Sequence, residues 1–63
     1  MKFSEKVLKV RLKLNLSQQA LAKELGVAFV TVSRWENSHA EPQILLRYRF
    51  DEFCKANNIN FNE

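Results

Sequence analysis

A single glycine, Gly26, lies between two short segments with apolar seams, and it constrains this chain more than any other residue. Glycine enters the left-handed backbone conformation without steric penalty, so it can stop one helix and redirect the chain toward the next. Upstream, residues 18–25 read as a helix, with Ser17 as its N-cap and Leu21 and Leu25 as its buried seam. The capping box is incomplete, because the third helical position is Ala20 rather than Glu or Gln. Downstream, residues 29–37 read as a second helix that buries Val32 and Trp35. That helix is weak on its own. The run Val30-Thr31-Val32 is β-branched, and Ala28 is a poorer N-cap than Ser or Thr by about 1 kcal/mol, so packing must hold it. Two helices crossing near a right angle also need a small side chain where they approach, and Ala22 supplies it one turn before the glycine. Val27 adds an apolar contact at the turn.

The flanking segments also read as helices. Residues 4–14 carry Phe3, Val7, Leu14 and the stem of Arg11 on one face, with Leu8 and Leu12 on its flank and Lys6, Lys9 and Lys13 on the other side. Ser4 is the expected cap, with Glu5 favoured in the first turn by the helix dipole. The last helix is expected over residues 42–55, opened by Pro42, the only proline, and buried along Leu46, Phe50 and Phe53. Asn57 and Asn58 end it, and Ile59 and Phe61 form a short apolar tail able to fold back.

Sixty-three residues bury only about 60% of their unfolded surface, but a 46% hydrophobic composition still supports a core. One cysteine, Cys54, excludes an internal disulfide and a Cys-rich zinc site, and it is expected as a small buried hydrophobe. No apolar run approaches the roughly 18 residues of a membrane helix, and no leader-type apolar stretch follows Met1, so a cytoplasmic location is expected. The chain has one histidine, His39, in a loop, and no catalytic, metal-binding or phosphate-loop motif, so neither an enzyme nor a cofactor is expected. Charge is asymmetric: residues 1–34 hold seven Lys and Arg against two acids, and residues 35–63 hold three against five. That imbalance fits a polyanion partner on one side or an ordinary solvated face.

The stretch LSQQALAKELGV, followed by TVSRWEN and then a proline, resembles the lambda repressor/Cro-like (XRE-type) family of helix-turn-helix DNA-binding domains. Residues 14–42, about half the chain, carry the resemblance. It implies an all-α fold, a compact bundle of four helices with a fifth left open, as one domain over residues 1–63 with the helix-turn-helix at about 18–37. It implies sequence-specific binding of double-stranded DNA by a small transcriptional regulator, a repressor, with the second helix of the motif in the major groove.

On that reading the base-contacting residues are Ala28, Phe29, Val30, Ser33 and Arg34, opposite Val32 and Trp35. Arg34 suits a bidentate contact to guanine, or else a phosphate or a nearby acid. Phe29, Val30 and Ala28 can only pack, on thymine methyl groups for instance, although Phe29 could instead tuck into the core. Relatives with Gln or Asn at this helix start read bases by hydrogen bonds, so this chain is expected to rely more on methyl contacts or DNA shape. Ser17, Gln18, Thr31 and Asn37 match phosphate-facing positions, with capping as the plain reading of Ser17 and Asn37. The family usually has basic residues in the loop before the fourth helix; Ser38-His39-Ala40-Glu41 has none, which implies weaker non-specific binding. Arg11 and Glu36 match a buried ion pair between the first and third helices. Leu45, Tyr48 and Phe61 offer either a homodimer patch or a cover for the core edge. The alternative functions are a DNA-targeting or protein-interaction head of a larger protein, such as a DNA-modifying enzyme, and a helical partner-binding protein with no role on DNA.

Overall fold

A computed structural model describes residues 1–61. Among them are four helices and no strand: α1 (Phe3–Leu14), α2 (Gln18–Leu25), α3 (Phe29–Glu36) and α4 (Ile44–Ala56). The helix-turn-helix pair matches the sequence reading closely. The Ser17 hydroxyl accepts the Ala20 N–H at 3.0 Å and caps α2. Gly26 takes φ +70°, and the Val27 N–H donates to the Ala22 carbonyl at 3.0 Å, which closes the end of α2. Ala28 makes no side-chain cap, so α3 is held from its buried side by Val32 and Trp35.

Both outer helices differ from expectation at their starts. α1 begins at Phe3, with Lys2 as N-cap, and Ser4 lies inside the first turn instead of capping it. The reason is Glu5, whose carboxylate reaches back to accept the Lys2 backbone N–H at 2.8 Å. α4 begins at Ile44 rather than Pro42. Gln43 is extended, with ψ 158°, and its carbonyl accepts the Arg47 N–H at 2.8 Å as the first helical bond. Pro42 instead precedes the helix and lines a cleft between α3 and α4 with Trp35 and Leu46.

The core joins all four helices: Phe3, Val7 and Val10 from α1, Leu21, Ala22 and Leu25 from α2, Val32 and Trp35 from α3, and Phe50 and Cys54 from α4. Phe3 links the outer helices, with its ring edge-on to Trp35 at 5.3 Å and to Phe50 at 5.0 Å between centroids. Such aromatic pairs add about 0.5–1.5 kcal/mol each beyond burial. The Arg47 guanidinium lies 5.0 Å over the outer side of the same ring. After α4, Asn58 turns the chain at φ 58°, and the Ile59 N–H donates to the Cys54 carbonyl at 2.8 Å. Ile59 joins the core, and Phe61 packs against it beneath Lys6. Phe61 is therefore a cover for the core edge, while Leu45 and Tyr48 stay exposed, as does Ile44.

The Cys54 thiol is pushed up to about 11, first by burial and then by the charge of Asp51, with Lys6 opposing. In the folded protein at pH 8, Cys54 should react with a thiol reagent such as DTNB about a hundredfold more slowly than in the urea-unfolded chain, because so little thiolate is present. Gly26→Ala should lower stability by about 1–2 kcal/mol in urea titrations. The loss would come from the backbone: the nearest atom to an added Cβ is Arg49 Nη1 at 3.6 Å, an ordinary contact.

Candidate nucleic-acid interface

α3 has two unlike sides. Val32 and Trp35 are buried, whereas Ala28, Phe29, Val30 and Arg34 are exposed and Ser33 and Thr31 are half-buried. Phe29 is 49% exposed and Val30 56%. Phe29 thus does not tuck into the core. Arg34 forms no ion pair among the described residues, and it shares the α3–α4 cleft with Glu41 and Thr31.

The position of α3 is set by a polar cluster at its far end. Arg11 Nε donates to Glu36 Oε2 at 2.5 Å and Arg11 Nη2 donates to Glu36 Oε1 at 2.9 Å. The third arm of the guanidinium, Nη1, donates to the Leu16 carbonyl at 3.2 Å, in the α1–α2 loop. Glu36 Oε1 also accepts from Gln18 Nε2 at 3.1 Å. One carboxylate therefore ties the last turn of α1, the first turn of α2 and the last turn of α3. The Arg11–Glu36 contact matches the sequence expectation. The Gln18 contact does not follow from sequence, where Gln18 reads only as a phosphate contact.

Burial pushes the Glu36 carboxyl up, but the hydrogen bonds from Arg11 and Gln18, together with the charge of Arg11, outweigh it and hold the group below its ordinary value. The Arg11 guanidinium is raised by its hydrogen bond to Glu36, against the cost of burial.

The other polar candidates sit around the motif. Ser17 Oγ is engaged as the α2 cap. Asn37 Nδ2 donates to the Ser33 carbonyl at 2.9 Å and so caps the C-terminus of α3. Arg49, on α4, brings its guanidinium beside the Gly26 turn. Sequence reading missed Arg49, because only the packing of α4 on α2 brings a residue so distant in the chain to the turn. Among the described residues no group of His, Cys, Asp and Glu could hold a metal ion, and no helix is long and apolar enough to cross a membrane.

A depressed carboxyl stabilises the fold above its ordinary pKa of about 4.3 and loses that contribution as pH falls through its lower, folded value. Thermal melts of wild type and Glu36→Gln should therefore differ by a constant amount above about pH 5, and the difference should shrink progressively below about pH 4. Glu36→Ala, which leaves Arg11 and Gln18 without their acceptor, should lower stability by about 1–3 kcal/mol at pH 7.

Comparison with known families agrees with this geometry. A helix-turn-helix family model, of the Cro/C1 (XRE) type, matches residues 7–46, which is 40 of the 63 residues. The match starts in α1 and runs through the motif into α4. Comparisons with curated proteins and with solved structures gave no match. The matched domain type is a DNA-binding, non-catalytic one found in regulators. With the Gly26 turn, the exposed outer face of α3 and the family match in agreement, the chain belongs to the Cro/C1-type (XRE) helix-turn-helix family of DNA-binding domains.

Proposed function

We propose that this chain is a single DNA-binding domain that recognises a specific double-stranded sequence with α3 in the major groove and acts as a small transcriptional repressor in the cytoplasm. The observation that carries this reading is the division of α3. Its inner side is locked by Val32, Trp35 and the Arg11–Glu36 pair, and its outer side, from Ala28 to Arg34, is left to solvent. A rigidly held helix with a free face is what major-groove docking requires.

Ala28, Phe29, Val30, Ser33 and Arg34 face base edges in this reading, with Arg34 pairing to guanine. Ser17, Gln18 and Thr31 contact phosphates, with Arg49 adding positive charge beside the turn. Glu36 holds one N–H of the Gln18 amide and leaves the second for a phosphate oxygen. Asn37 contributes mainly as the cap of α3. The exposed α4 face of Ile44, Leu45 and Tyr48 pairs two copies on a palindromic site, with half-sites about one helical turn apart. Repression then follows from occupancy of the promoter.

Fluorescence anisotropy against a randomised duplex pool tests the reading at about 50 and 200 mM salt. Binding should weaken at least about tenfold between the two, as counterions released by Lys and Arg contacts are opposed. Arg34→Ala removes no side-chain hydrogen bond or ion pair within the described residues. On a duplex selected from the pool it should weaken binding by about 1–3 kcal/mol and relax preference at one base pair. No binding at the lower salt, by the chain alone or by a covalently linked dimer, would reject the proposal.

A further inference from the structure

The outer side of α1 leaves two leucines in water. Leu12 is 71% exposed and Leu8 43%, and with Met1, Glu5 and Lys9 they line a shallow groove of about 300 Å³. Lone exposed leucines are ordinary, but these two stand one turn apart in a single groove, where a partner would gain burial free energy.

Spacing fixes the shape of what fits. Met1, Glu5, Leu8 and Leu12 lie four, three and four residues apart, the a and d spacing of a seam between two helices. The inner side of α1 is already used, because Phe3, Val7 and Val10 are in the core. A stripe this narrow accepts one helix. A helix lying on a membrane needs a broad apolar face, and α1 has none to spare.

Charge selects the partner helix. With Glu5 and Leu12 at a and Met1 and Leu8 at d, Lys2 and Lys9 fall at e, the positions that meet a partner's flanking charges. Lys13 follows Lys9 one turn later, and none of these three lysines forms an ion pair among the described residues. Glu5 already accepts the Lys2 backbone N–H, and Arg11 is held by Glu36. A second α1 laid antiparallel on the first would set lysine against lysine. The exposed face of α4 does not supply the missing acid either, since Asp51 pairs with Arg47 and Glu52 with Lys55.

We propose that the outer face of α1 docks an acidic amphipathic helix of another protein, whose apolar residues cover Leu8 and Leu12 and whose Asp or Glu side chains lie beside Lys2, Lys9 and Lys13. α1 and α3 meet through their inner sides, where Phe3 packs on Trp35, so this docking leaves the outer face of α3 free and does not require DNA.

The probe is a synthetic helix of three heptads with Leu at a and d and Glu at e and g, followed by fluorescence anisotropy as the full chain is added at about 50 mM salt. A matched peptide carries Lys at e and g. The Glu peptide should bind at least about tenfold tighter than the Lys peptide, and the difference should shrink at about 500 mM salt. Leu8→Ala and Leu12→Ala should each weaken the Glu peptide about five- to tenfold. Lys9→Glu should remove most of the preference between the peptides. Leu45→Ala, on α4, should leave binding unchanged. Circular dichroism establishes that these variants of exposed residues remain folded.

Equal affinity for the two peptides overturns the proposal, as does no binding of either at about 1 mM or a loss caused by Leu45→Ala in place of Leu12→Ala. Two other results also reject it. Binding to phosphatidylserine vesicles that Leu12→Ala abolishes would assign the face to a membrane surface. A wild-type dimer in sedimentation equilibrium that Leu12→Ala converts to monomer would assign it to a second copy of this chain.

Discussion

Three helices converge on one carboxylate. Glu36 receives two hydrogen bonds from Arg11 and one from Gln18, and the remaining arm of Arg11 holds the loop between α1 and α2. Removing charge from water is expensive, and a partly buried pair is a net gain only when its geometry is good and its lone pairs are satisfied. Here both carboxylate oxygens are occupied, and the guanidinium fork matches them in two places. This cluster contributes orientation as much as stability. It sets the angle of α3 relative to α1 and α2, and so determines which residues of α3 are left facing solvent. The other end of α3 has no such restraint, since Ala28 caps nothing.

The apolar core provides the complementary restraint. α3 consists largely of residues that disfavour an isolated helix, so its helicity depends on Val32 and Trp35 being buried. Trp35 meets Phe3, and Phe3 meets Phe50, so the aromatic contact runs from α3 through α1 to α4. The consequence is that α3 has no independent stability: it exists when the whole domain is folded. In a chain of this size local and global unfolding are then closely coupled, and the outer face of α3 is presented only by the native state.

Exposed apolar side chains lie on three helices: Leu8 and Leu12 on α1, Phe29 and Val30 on α3, and Ile44, Leu45 and Tyr48 on α4, where Asp51 pairs with Arg47 and Glu52 with Lys55.

Much of the fold was legible because local rules decide it. Gly26 had to turn the chain, Ser17 had to cap α2, and the seams Leu21–Leu25 and Val32–Trp35 followed helical spacing. The errors fell where two local rules competed. Ser4 and Pro42 both resemble helix starts, yet Glu5 bonds back to Lys2 at one boundary, and at the other Gln43 is extended and its carbonyl takes the first helical bond. Val10, three residues after Val7, is fully buried and adds to the inner face of α1 beside Arg11. The sequence by itself determined four helices, a turn at Gly26, a buried Cys54 and family membership, since capping, glycine conformation and periodicity act over a few residues. Only the tertiary structure decided that Phe29 faces solvent, that Gln18 bonds Glu36 and that Arg49 reaches the turn. Each depends on how helices distant in sequence pack together, and side-chain spacing within one helix carries no information about its neighbour.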